Sequence, residues 1–234
     1  MSISPSPALA PILAPAFAKA PPAAAFQAID DLELAALISS KICHDVIGPV
    51  GAIYNGLEVL DDDEDEQSRA YALEVIRNFT EQASAKVQFA RFAFGAAGSV
   101  GATVDLGGAE QIARGFIGAG KHRLTWKAPA GQMAKDRVKL LLNLIASAVT
   151  ALPRGGEIIA SVQGRLDNAN LEVRCIGPAA RFPQHLREFL AVPCTHKIDA
   201  LSVQAYYTTR LARSAGLRLS VGLEGVDVVM AAVK

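Results

Sequence analysis

From Ile29 to Phe94 the apolar residues recur every three to four positions, and the stretch holds three glycines and one proline, a pattern that predicts helix. At about 100° per residue, Ile38, Ile42, Val46, Pro49, Ile53, Leu57 and Leu60 fall on one stripe. His44 lies on the opposite side, with Ser40, Lys41, Gly48, Gly51 and Asn55 as neighbours. The unbroken acidic run Asp61 to Glu66 reads as a solvated turn whose last residues favour the N-terminus of a following helix. Beyond it Leu73, Ile76, Ala83, Val87, Ala90 and Phe94 form a second apolar stripe. The first half is therefore expected to be an antiparallel helical hairpin. Two helices cannot enclose two such stripes, so either two hairpins pair into a four-helix bundle in a symmetric dimer, or the hairpin packs on the rest of the chain.

Gly95 to Gly101 is small and glycine-rich and reads as a linker, after which the period changes. Leu124–Ala128 predicts a strand, and Met133–Leu152 a helix stopped by Pro153-Arg154-Gly155-Gly156. Glu157–Arg165 and Asn170–Ile176 predict two strands joined through Asp167-Asn168. Ala200–Ala215 predicts a helix stopped by Gly216, with Leu217–Leu223 and Val226–Val233 as a closing hairpin. The expected fold class is α+β: a helical hairpin over 27–97, then an α/β sandwich over 102–234 with helices on one face of a mixed sheet. Residues 1–26 are almost entirely Ala, Pro, Ser and scattered apolar side chains, and read as a flexible tail. The first positive side chain there is Lys19, and the prolines interrupt any apolar run, so the tail does not have the pattern of a secretory signal.

Composition narrows the function. With 23 basic and 23 acidic side chains the formal net charge is zero, which gives no electrostatic footprint for nucleic acid or an anionic membrane. Hydrophobic residues make up 51% of the chain, enough for an ordered core, yet no stretch of about 20 apolar residues stands out as a membrane span. A cytoplasmic location is the expectation. The three cysteines are far apart and suggest no disulfide framework. Cys194 and His196 lack the second ligand pair of a zinc site, and His122, His185 and His196 have no motif around them.

His44 stands out by its company. Gly48 and Gly51 each cost a helix about 1 kcal/mol relative to Ala. Pro49 removes the hydrogen bond that the Asp45 carbonyl would otherwise accept, and an interior proline costs about 3 kcal/mol or more. One reading is access: missing side chains let a bulky partner approach the imidazole. The other is an ordinary surface histidine with glycines serving helix–helix contact. Periodicity leaves both open.

The stretch His44-Asp45-Val46-Ile47-Gly48-Pro49-Val50-Gly51 resembles the phospho-acceptor box of sensor histidine kinases, a histidine followed by an acidic residue and, five places on, a proline. With Ala52-Ile53-Tyr54-Asn55-Gly56-Leu57-Glu58-Val59-Leu60 and the downstream α/β region, the chain from about Leu32 onward resembles the ChpT-type histidine phosphotransferases of bacterial cell-cycle phosphorelays. The resemblance implies a homodimer in which His44 accepts and donates phosphoryl groups, shuttling them between the receiver-domain aspartates of a hybrid histidine kinase and of response regulators. It also implies no cofactor of the protein's own, the receiver supplying Mg²⁺. Asp45 would orient the ring or accept a proton, and Lys41 and Asn55 would meet the partner or the phosphoryl oxygens.

The second half resembles the ATP-binding domain of histidine kinases, with departures. Leu141 to Ala148 aligns with the magnesium-binding helix but has Ser147 where a second asparagine is expected. Val173-Arg174-Cys175-Ile176-Gly177-Pro178 lacks the adenine-recognising aspartate, and Ile198 to Ala205 contains no glycine-rich phosphate loop. ATP use is therefore not expected. The alternatives are an ATP-dependent kinase with diverged motifs and a non-catalytic adaptor that docks on kinases or receivers.

Overall fold

The computed structural model describes residues 29–62, 65–95, 102–191 and 197–234, so the N-terminal tail and most of the Gly95–Gly101 linker lie outside the described residues, as do Cys194 and His196. Helices α1 (Asp31–Asp62) and α2 (Glu66–Ala93) form the hairpin. Each opens on an aspartate cap: Asp30 Oδ1 accepts from the Glu33 amide at 2.7 Å, and Asp65 Oδ2 from the Ser68 amide at 2.8 Å. The end of the acidic run thus starts the second helix.

A short strand β1 (Thr103–Asp105) leads into α3 (Leu106–Ile117), then β2 (His122–Lys127), β3 (Gln132–Ala134) and α4 (Lys135–Ala151). There follow β4 (Gly156–Gln163), a single 3-10 turn at Leu166–Asn168, β5 (Asn170–Ile176), α5 (Gln184–Leu190), α6 (Val203–Ser214), β6 (Arg218–Glu224) and β7 (Asp227–Val233). The main sheet has the order β2-β4-β5-β7-β6, and only β2 and β4 run parallel. The sheet is mixed, as the sequence predicts. Along β5 Leu171, Val173 and Cys175 are buried while the alternate residues are half-exposed, so one face takes the helices. The other carries Arg174, which pairs with Asp227 at 3.3 Å and also with Glu224.

Helix α4 is buried nearly all round, with Leu140, Leu141, Leu142, Leu144 and Ile145 fully enclosed. It touches the sheet on one side and α2, α3 and α6 on the others, which explains the unbroken apolar run in its sequence. Past its end Gly155 turns at φ +86, where a Cβ would lie 2.3 Å from the Lys121 carbonyl oxygen, so the glycine pair closes the helix and enters β4.

The hairpin packs on the second domain. Phe89 of α2 stacks on Phe116 of α3 with ring centroids 3.9 Å apart, and Phe94 meets Tyr207 of α6. Asn143 Nδ2 donates to the Ala93 carbonyl at 3.0 Å, and the Ile29 amide donates to the Tyr206 hydroxyl at 3.3 Å. One of the two packing alternatives is thus realised within a single chain, yet it does not consume the apolar surface. Ile47, Val50, Tyr54 and Leu57 of α1 remain exposed, as do Leu73 and Val87 of α2. Leu57, Leu73 and Val87 belong to stripes predicted to be covered. Each stripe is wider than one neighbouring helix can cover.

Helix α1 is long and apolar enough, by length and composition, to cross a membrane, which the sequence reading did not register. It also contains Pro49, carries the Lys41–Asp45 ion pair, and packs along an α2 that bears Glu74, Arg77, Glu81 and Arg91 on exposed positions. Those features belong to half of a polar hairpin.

Candidate functional site

His44 sits in the middle of α1 with 69% of its side-chain surface exposed. Gly48 and Gly51 extend the same open face, and a Cβ built at either would have nothing within 4 Å. Neither glycine is demanded by packing within the chain. The glycine that serves helix–helix contact is Gly56, where a Cβ would come 2.8 Å from Ile76 Cγ1 of α2. Within the chain, Gly56 joins the helices, while Gly48 and Gly51 leave the surface beside the imidazole open.

The supporting residues separate into two groups. Asn55 shares the exposed face but lies eleven residues on, about 16 Å along the axis at 1.5 Å per residue. It cannot touch a phosphoryl group on His44, and only a partner spanning three helical turns would meet both. Lys41, expected beside His44 on the open side, instead turns inward with 19% of its side chain exposed and holds the Asp45 carboxylate. Its position borders the polar face, and its side chain lines the groove between the hairpin and the second domain. Asp45 Oδ1 stands 3.8 Å from His44 Nδ1, beyond hydrogen-bonding distance, so in this structure it influences the ring by charge alone. Pro49 is buried against α2, and α1 runs through it without a break.

Sequence reasoning missed Lys86. From α2 its Nζ donates to the Asp45 carbonyl at 3.0 Å, the very carbonyl whose helical N–H partner Pro49 removes. No sequence signal links residues 41 positions apart; only the orphaned carbonyl itself implied that some donor was needed. Lys41, Asp45 and Lys86 line a groove of about 220 Å³ between the hairpin and the second domain, closed on the far side by Phe116, Ala146 and Gln204.

A second, larger cleft of about 640 Å³ opens between α4, α5 and the start of α6. Ser147 and Thr150 line one wall, and Arg181, His185 and Arg187 the other. Asn143 does not reach it: the side chain is fully buried, its Nδ2 bound to the Ala93 and Lys139 carbonyls. Before α6, Asp199 Oδ1 accepts from the Leu201 and Ser202 amides at 3.0 and 2.8 Å and from the Ser202 hydroxyl at 2.8 Å, which holds its carboxyl below the usual range. The Leu201 and Ser202 amides are thus bound to a carboxylate. In β5, burial pushes the Cys175 thiol up to about 12, leaving a protonated apolar side chain. His122 Nε2 lies 2.9 Å from the Leu152 carbonyl, thirty residues on, and His185 Nδ1 lies 3.1 Å from Glu188 Oε2 within its own helix.

An exposed mid-helix histidine on a two-helix hairpin, backed by an α/β domain with helices on one face of its sheet, defines the architecture of a histidine-bearing signalling module. The histidine phosphotransferase C-terminal domain family matches residues 106–226. The protein phosphotransferase ChpT of Brucella abortus (strain 2308) is 40% identical over 205 residues, covering 86% of this chain and 95% of that protein. A bacterial phosphotransferase of known structure superposes with a TM-score of 0.80 at 36% identity, over 88% of this chain and 98% of that one. The Acinetobacter baumannii histidine kinase AdeS shows a looser likeness, with a TM-score of 0.44 at 11% identity over 81% of this chain and 95% of that one. The chain belongs to the histidine phosphotransferase family.

Three glycines on one helix therefore separate stability from access. Gly48→Ala and Gly51→Ala should each stabilise the fold by about 0.5–1 kcal/mol, since each relieves a helix penalty and meets no neighbour. Both should nevertheless slow phosphoryl transfer several-fold. Gly56→Leu should cost about 1–3 kcal/mol through overpacking against Ile76. Urea unfolding beside single-turnover transfer assays checks the opposition. Faster or unchanged transfer in both alanine variants would remove the access argument.

Proposed function

We propose that this phosphotransferase relays phosphoryl groups through His44, accepting them from an aspartyl phosphate on the receiver of a hybrid histidine kinase and passing them to the aspartate of a response-regulator receiver. The observation that carries the reading is the exposed imidazole on a helix face bared by Gly48 and Gly51, in a chain of this family. A neutral imidazole is a competent nucleophile near neutral pH. The Asp45 carboxylate lies nearest Nδ1 and so favours the proton there, leaving the Nε2 lone pair outward. Attack of Nε2 on phosphorus forms the P–N bond as the P–O bond to the receiver aspartate breaks, and the carboxylate leaves with that electron pair. Onward transfer runs the same exchange in reverse on a second receiver. The transition state is loose, so in-line positioning and charge neutralisation matter most, with the receiver bringing the Mg²⁺. Asn55 and the bared turn serve docking. A cytoplasmic location follows from this reading of its partners.

ATP-dependent phosphorylation is disfavoured by the second domain. A carboxylate occupying the amides before α6 repels phosphate, and Asn143 is committed to a structural bond away from the cleft. The test mixes the protein with a panel of phosphorylated receivers, with His44→Ala and ATP alone in parallel. Acid-labile label on the wild type, none on His44→Ala and none from ATP is the expected result. Label from ATP alone would make the protein a kinase. Binding without label from any donor would make it an adaptor.

The uncovered stripe of Ile47, Val50, Tyr54 and Leu57, continued by Leu73 and Val87, supports a homodimer whose two hairpins form a four-helix bundle. Sedimentation equilibrium should report two chains for the wild type and one for a Tyr54→Glu/Leu57→Glu variant. A monomeric wild type would overturn the bundle.

A further inference from the structure

Pro49 leaves the Asp45 carbonyl without its helical donor, one residue from His44, and the replacement donor comes from the other helix of the hairpin. Lys86 Nζ lies 3.0 Å from that oxygen. Lys41 holds the carboxylate of the same Asp45, so the residue is gripped at its side chain from within α1 and at its backbone from α2. We infer that Lys86 is a positioning residue for phosphoryl transfer: it substitutes for the hydrogen bond that Pro49 removes and so fixes the turn of α1 that presents His44. The inference rests on His44 being the acceptor. Lys86 itself is turned into the groove beside Phe89 and Phe116 and acts through the backbone, while the imidazole points to the open side. A buried or half-buried carbonyl with no donor is costly, and a charged donor is among the stronger replacements. Without it the turn bearing His44 is free to shift, and near-attack geometry tolerates little displacement.

The logic requires that Lys86 matter only while proline occupies position 49. With Pro49→Ala the N–H returns, the Asp45 carbonyl regains its helical partner, and the ammonium becomes redundant. The experiment is a double-mutant cycle of Lys86→Met and Pro49→Ala on the full chain, with Lys86→Arg as the conservative variant and His44→Ala as control. Single-turnover transfer from a phosphorylated receiver is measured across donor concentration, and urea unfolding is followed in parallel. Lys86→Met alone should lower the saturating transfer rate about tenfold, the scale of one unsatisfied acceptor, while the half-saturating donor concentration stays unchanged. Lys86→Arg should recover most of that rate. In the Pro49→Ala background the further change to Met should alter neither rate nor unfolding midpoint. Should Pro49→Ala abolish transfer by itself, the unfolding midpoints still decide: a loss on Lys86→Met with proline present and none without it supports the inference. Equal losses in both backgrounds, or a raised half-saturating concentration in place of a lowered rate, would overturn it and make Lys86 a docking residue. Label persisting on His44→Ala would instead break the acceptor assignment, a different failure from an intact His44 result with no Lys86 effect.

Discussion

Pro49 faces inward from the middle of a 32-residue helix, and the carbonyl it deprives belongs to Asp45, next to the histidine. An α-helix carries such a defect where a neighbour or water repairs it, because an unpaired carbonyl away from water costs more than a normal hydrogen bond contributes. Here α2 supplies the repair through Lys86, and that donor registers one helix against the other at the level of His44. Gly56 continues the same registration further along, where the close approach of Ile76 leaves no room for a side chain. The inward face of α1 is thus fixed by contacts that tolerate little substitution, and the outward face is left with two unhindered glycines and an exposed imidazole.

The second domain completes this arrangement from behind. Phe89 on Phe116, Phe94 against Tyr207, and Asn143 bonded to the Ala93 carbonyl fasten the C-terminal half of α2 to α3, α6 and α4. Asn143 of α4 is a structural tie between the domains. Asp199 binds the amides before α6, and Cys175 is a buried, protonated side chain of the central strand. The domain has a cleft of about 640 Å³ with Arg181 and Arg187 on one wall. The domain is a platform against which α2 of the hairpin packs.

Much of this was legible in the sequence because it depends on period and punctuation. The two helices followed from spacing, and the β4–β5 and β6–β7 pairs followed from alternation bounded by turn residues. Helix α3 escaped because Gly107 and Gly108 weaken its first turn, although Asp105 caps it by accepting from the Gly108 amide at 2.9 Å. Helix α5 has only seven residues, too few for a period to declare itself. At the site, His44, Gly48 and Gly51 could be read because a helical wheel separates faces. The inward turn of Lys41 could not, since it sits at the border between them and packing decides. Lys86 and the Gly56–Ile76 contact are long-range pairings between helices, and a single sequence carries no signal for those.

The central claim is that the imidazole on the bared face of α1 carries the phosphoryl group. The most direct measurement is to load the purified protein from a phosphorylated receiver, digest it under alkaline conditions, and locate the modification by tandem mass spectrometry. The account predicts an acid-labile, base-stable phosphate confined to His44. Phosphate mapped to His122 or His185, or a label lost in base, with His44 unmodified, would contradict it.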